Sequence, residues 1–127
     1  MAEEIQAKAM EFERNRGQLM NVSAQKQQLQ MQNGALGNAI EELAKSKEKK
    51  VFKAVGNILI QADAAETKKE LQEKKESVEL RIKTLQKQED SLVNRLNKLK
   101  SDIEAAQNGM PVAEEKAQES EKPNKKK

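Results

Sequence analysis

The amino-acid sequence predicts a mainly α chain: an antiparallel two-helix coiled coil with a central β-hairpin that joins an intersubunit β-barrel. Three observations lead there. Charged residues make up 35% of the 127 residues and aromatic residues only 2%, so a conventional globular core lacks its largest apolar contributors. Two long segments carry apolar residues at alternating spacings of three and four, the pattern of a coiled-coil seam. Between them lies a short run of β-branched and aromatic residues split by Gly56-Asn57, a turn pair.

The first helix is assigned to residues 1–45. One seven-residue series holds Ile5, Phe12, Leu19, Lys26, Asn33 and Ile40; the other holds Lys8, Asn15, Val22, Leu29, Leu36 and Leu43. Eight of these twelve are apolar. The polar four, Lys8, Asn15, Lys26 and Asn33, lower the stability of a seam and fix its register. Gly17, Gly34 and Gly37 each weaken a helix by roughly 1 kcal/mol against Ala, so this helix is expected to be looser than an ideal one.

The hairpin is assigned to residues 46–62. Lys50-Val51-Phe52-Lys53-Ala54-Val55 and Ile58-Leu59-Ile60-Gln61 read as strands on either side of the turn pair. A helix running straight through this region is opposed by both the Gly-Asn pair and the β-formers. Successive strand residues point to opposite faces, so Val51 and Phe52 make both faces apolar, as do Leu59 and Ile60. An isolated two-stranded hairpin is marginal in water, and one thin helix pair cannot cover two faces and two edges. Val51, Phe52, Val55, Ile58, Leu59 and Ile60 are therefore expected to form an oligomer interface, within a larger sheet or closed barrel. Lys45, Lys47, Lys49, Lys50 and Lys53 surround the first strand, opposed only by Glu48. They suit an acidic docking partner or, more simply, a solvated neck that protects a sheet edge.

The second helix is assigned to residues 63–108. Its two series hold Leu71, Val78, Leu85, Leu92, Leu99 and Ala106, and Lys75, Ile82, Glu89, Leu96 and Ile103; nine of these eleven are apolar. Asp63 with Glu66, or Thr67 with Glu70, has capping-box spacing for its start. Asn108-Gly109 followed by Pro111 marks its end. Residues 109–127 read as a disordered charged tail, with four acids and five bases after Pro111.

Missing residue types narrow the chemistry. Without Cys or His, thiolate and imidazole chemistry is gone, and no catalytic, cofactor-binding or metal site is expected. The chain is not expected to be an enzyme. Its net charge of +3 is near balance, which gives no nucleic-acid signal. No apolar stretch approaches the ~20 residues of a membrane span, and Met1-Ala2-Glu3-Glu4 lacks a signal-peptide start; a cytoplasmic protein with no membrane contact is expected.

The run Val51-Phe52-Lys53-Ala54-Val55-Gly56-Asn57-Ile58-Leu59-Ile60 resembles the hydrophobic-aromatic-Lys-x-Val-Gly-x-hydrophobic-hydrophobic hairpin of β-class prefoldin subunits. The stretches 70–76 and 79–85 resemble the start of that family's second helix, and the similarity spans roughly residues 5–107. The pair Gly34 and Gly37 departs from the family's pattern and predicts a less straight first helix. The resemblance implies a hexamer containing α-class prefoldin subunits and further copies of this chain, with a body of hairpin barrels and coiled-coil arms. It implies arm tips that hold unfolded proteins and pass them to a group II chaperonin, without ATP or a cofactor. Towards such a tip lie Ile5, Met10, Phe12, Leu99, Ile103 and Met110 as candidate client-binding residues, of which Phe12 and Leu99 fit ordinary seam packing equally well. A coiled-coil adaptor without client-holding activity is the alternative that uses the same helices.

Overall fold

The structure, a computed structural model, describes residues 2–109. Met110 and all but the first residue of the expected charged tail lie outside the described residues. Four elements follow in order: α1 (Ala2–Lys45), β1 (Lys50–Val55), β2 (Ile58–Asp63) and α2 (Ala64–Gln107). The chain is mainly helical, with a two-stranded antiparallel hairpin between two long helices.

Local chemistry sets the element ends. α1 opens with Glu3 and Glu4 and closes with Lys45, each sign complementing the helix dipole. Its last turn is extended by the Ser46 N–H, which donates to the Glu42 carbonyl at 3.0 Å. The Ser46 hydroxyl then accepts the Glu48 N–H at 3.1 Å and shapes the short connector to β1. At the other side of the hairpin no connector exists, since β2 ends at Asp63 and α2 begins at Ala64. Asp63 is the cap: its carboxylate accepts the Glu66 N–H at 3.1 Å. α2 ends as Gly109 turns to φ +71°, its N–H donating to the Ala106 carbonyl at 3.2 Å.

The chain divides into two compact units, residues 2–24 with 85–109 and residues 25–84. In the first, the helices run antiparallel: Lys8 meets Asp102, Glu11 meets Arg95, and Ser23 meets Glu89. Its interior is a line of Leu85, Leu96 and Leu99, all buried, flanked by half-buried Ile5, Phe12, Leu19, Val22, Leu92 and Ile103. In the second unit Asn33 meets Glu79, and a Cβ added at Gly37 would lie 3.3 Å from the end of Lys75. Leu36 and Val78 are buried there, with Leu29, Ile40, Leu43, Leu71 and Ile82 half-buried.

Every expected seam position on α1 is buried or half-buried, the polar ones included. On α2 one position departs. Ala106 is exposed, while Asp102 and Ala105 are covered instead. Lys8 occupies a seam position on α1 and recruits Asp102 at 3.7 Å, which draws this end of the seam towards the Asp102 side of α2. Among the described residues no side chain falls below 2% exposure, so the interior is a thin stripe with no enclosed core.

Candidate functional site

The hairpin carries the largest uncovered apolar surface. β1 and β2 pair in the register Lys50 with Asp63, Val51 with Ala62, Phe52 with Gln61, Lys53 with Ile60, Ala54 with Leu59 and Val55 with Ile58. Gly56 has φ +61° and Asn57 does not have positive φ, the signs of a type II′ turn, which matches the right-handed twist of the strands. Directly opposed residues share a face. One face therefore holds Val51, Lys53, Val55, Ile58 and Ile60; the other holds Phe52, Ala54, Leu59 and Gln61.

The first face leans towards the helix ends without sealing against them. Lys53 donates to Glu70 of α2 at 3.3 Å, and Val51 is half-buried. Between this strand and Leu43, Thr67 and Leu71 an open groove of about 610 Å³ remains. The second face is bare: Phe52 is 65% and Leu59 69% exposed. Val55, Ile58 and Ile60 are exposed as well. Of the six residues expected at an oligomer interface, five are thus exposed in the single chain and Val51 is half-covered.

The strand edges are also free. The Ala64 N–H donates to the Lys49 carbonyl at 2.8 Å, which makes 49 and 64 a hydrogen-bonded pair. Alternation along an antiparallel ladder then turns the backbone groups of Lys50, Phe52 and Ala54 outward on β1, and those of Leu59, Gln61 and Asp63 outward on β2. Lys45, Lys47, Lys49 and Lys50 are exposed and have no ion pair among the described residues.

The residues expected to touch clients fall in the first unit. Met10 is exposed; Ile5, Phe12 and Ile103 are half-buried; Leu99 is 5% exposed and packed in the seam. Exposed Met20 lies on α1 in the same unit, a position the seven-residue spacing places outside the seam.

In the sequence the polar seam positions read as interruptions, and the structure shows what they meet. Asp102 is buried between Lys8 and Lys98, at 3.7 and 3.6 Å. The Ser23 hydroxyl donates to Glu89 at 2.5 Å. Glu79 accepts from Lys75 at 2.5 Å and from Asn33 at 3.5 Å. The hydrogen-bonded Lys75 ammonium holds the Glu79 carboxyl below its ordinary value of 4.5, and Arg95 does the same for Glu11. The signal was present as opposite charges on two antiparallel seams, but it becomes readable only once the register between helices is known. These pairs orient helices; none has the geometry of a catalytic set. Among the described residues no cluster of three or more Asp or Glu is arranged to hold a metal ion, and no helix is long and apolar enough to cross a membrane.

Comparison with known proteins gives a consistent picture. The sequence model of the family described as "Prefoldin subunit" matches residues 6–110. The chain is 37% identical over 100 residues to the prefoldin subunit beta of Pyrobaculum calidifontis, covering 78% of this chain and 80% of that protein. It is 45% identical over 93 residues to the prefoldin subunit beta of Archaeoglobus fulgidus, covering 61% of this chain and 80% of that one. Its fold is similar to the crystal structure of the prefoldin beta subunit from Thermococcus strain KS-1, with a TM-score of 0.75 and 30% identity over 81% of this chain and 91% of the other.

Proposed function

Because the chain belongs to the prefoldin subunit family, we propose that it works as an ATP-independent chaperone subunit that binds unfolded proteins at its coiled-coil tips and delivers them to a group II chaperonin. The observation that carries this reading is the uncovered hairpin. Two apolar faces and two free strand edges on one small sheet call for other subunits, and prefoldin subunits assemble with one another. The expected companions are α-class prefoldin subunits and further copies of this chain, in the cytoplasm.

The hairpin then serves assembly and the far ends of the helices serve clients. Ile5, Met10 and Ile103 lie where α1 begins and α2 ends, with apolar atoms left partly open to solvent. A methionine adapts to varied apolar partners, and several weak contacts on linked arms gain by effective concentration. No nucleotide or cofactor enters this scheme: holding and release both follow from apolar contact.

The test is dilution of a denatured protein into buffer containing the complex of this chain with an α-class subunit, followed by light scattering. Wild-type complex is expected to suppress aggregation. The triple variant Ile5→Ser, Met10→Ser, Ile103→Ser is expected to assemble normally and protect less, since each apolar side chain that no longer packs on the client removes roughly 1–3 kcal/mol of burial. Equal protection by an intact mutant complex would move the grip away from these residues. Failure of wild-type complex to protect any client would favour the adaptor reading.

A further inference from the structure

We infer that the outward edge of β1 pairs with the outward edge of β2 in a second copy of this chain, antiparallel and head-to-tail, with Lys50 opposite the partner's Asp63. This rests on the reading of the hairpin as an assembly element and specifies which edge meets which.

The argument starts from the backbone. Lys50, Phe52 and Ala54 turn their free N–H and C=O groups outward on β1; Leu59, Gln61 and Asp63 do so on β2. The spacing along each edge is the same. An antiparallel approach that sets Lys50 against the partner's Asp63 also sets Phe52 against the partner's Gln61 and Ala54 against the partner's Leu59. All three are then hydrogen-bonded pairs. They repeat the side-chain pairings the hairpin already makes within itself, where Lys50 faces Asp63, Phe52 faces Gln61 and Ala54 faces Leu59. Large residues meet small or flexible ones in every row, so the bare face carrying Phe52 and Leu59 continues unbroken from one chain to the next.

Charge selects this pairing over its alternatives. The β1 side is basic: Lys45, Lys47, Lys49 and Lys50 are exposed without ion pairs, and Glu48 is the one acid among them. β2 contains no base and ends in Asp63, followed on α2 by Glu66. Asp63 uses one carboxylate oxygen to accept the Glu66 N–H, which leaves the other for a lysine. A symmetric β1-to-β1 contact centred on Phe52 places Lys50 opposite Ala54 and gathers two basic connectors with no carboxylate between them. A symmetric β2-to-β2 contact centred on Gln61 places Asp63 opposite Leu59. Only the head-to-tail contact lays lysine and aspartate side by side, giving a row in which the two charges alternate. Cross-strand ion pairs are favourable and like charges directly opposite are not. A head-to-tail contact is heterologous, and the twist of the strands lets such a series close into a ring.

The chain contains no cysteine, so the contact can be trapped cleanly. Chains carrying Ala54→Cys are refolded together with chains carrying Leu59→Cys, oxidised gently, and analysed by non-reducing electrophoresis and mass spectrometry. The expected product is a disulfide joining position 54 of one chain to position 59 of the other, predominating over both homodimers, because the Cα separation of such a pair suits a disulfide. Adding Lys50→Glu to both chains is expected to lower its yield by roughly tenfold, as a like-charged row weakens each contact. Asp63→Asn keeps an oxygen for the helix cap and is expected to lower the yield in the same direction. Predominance of 54-to-54 or 59-to-59 links would overturn the proposal. A monomer in light scattering that yields no link, yet assembles with an α-class subunit, would overturn self-pairing while leaving the chaperone reading in place. A chain that assembles neither alone nor with that subunit would defeat both.

Discussion

Asn15 is 8% exposed and its amide nitrogen finds no partner, so this seam position works against stability. A buried donor left unpaired costs about 1–3 kcal/mol. Asn15→Leu is therefore expected to raise the stability of the helix pair by roughly 1–2 kcal/mol, measured by urea denaturation at fixed protein concentration. Unchanged or lowered stability would mean that the site cannot accept a leucine. Titration gives a second prediction at this scale. The folded-state carboxyls of Glu79 and Glu11 are held below 4.5 by Lys75 and Arg95. A depressed carboxyl contributes stability that is present above its unfolded value and lost as the pH falls through its folded value. The melting temperature should thus drop as the pH is taken from 5 to about 3, and Glu79→Gln should flatten part of that drop. Both glutamates are solvent-facing, so the effect is expected to be modest. The heptad spacing made the seam legible residue by residue, including its polar members. It did not say that Lys8 would choose Asp102 or that Asn33 would choose Glu79, because the offset between two antiparallel helices is set by the turn joining them.

Gly34 and Gly37 are both interior to α1, yet their surroundings differ. A Cβ at position 34 meets open space, whereas one at 37 comes within 3.3 Å of the end of Lys75. Gly34→Ala is expected to gain close to the full helix propensity difference, about 1 kcal/mol. Gly37→Ala should gain less, because Lys75 must shift while still reaching Glu79 at 2.5 Å. Equal gains at both positions, read by thermal melting, would show that the Lys75 contact imposes no constraint. Gly56 is a different case. Its φ of +61° is a conformation that costs a side-chain-bearing residue roughly 1–2 kcal/mol, so Gly56→Val should weaken the hairpin and the assembly built on it. At this scale the two strands and the turn pair were readable from β-formers around Gly56-Asn57. The choice of cap for α2 was open between Asp63 and Thr67, and it fell to Asp63, whose carboxylate reaches the Glu66 N–H directly across from the hairpin's last pair.

For the molecule as a whole, the fold class was legible because it follows from what the chain lacks. With two phenylalanines and no other aromatic residue, it cannot build a compact core, and the structure accordingly buries no side chain completely among its described residues. What the sequence could not supply is the covering of the hairpin, since the covering surface belongs to other chains. Ile58→Asp with Ile60→Asp is expected to abolish the oligomer, because burying unpaired carboxylates in a sheet interface costs several kcal/mol. Size-exclusion chromatography with light scattering reads the result directly, and an unchanged mass would mean that this face of the sheet stays wet in the assembly.

The two joints between sheet and helices are unequal. α1 reaches β1 through the four residues 46–49, whereas β2 becomes α2 with no residue between Asp63 and Ala64. Mechanically, the first joint is a tether and the second is a weld. Any tilt of the sheet as neighbours dock is passed at once to α2, which turns with it like the shaft of an oar. α1 takes up the difference through its tether and follows by seam contact. The heading of the helix pair is thereby steered from the base of α2, and two glycines inserted after Asp63 would cut the steering while leaving every strand pairing untouched.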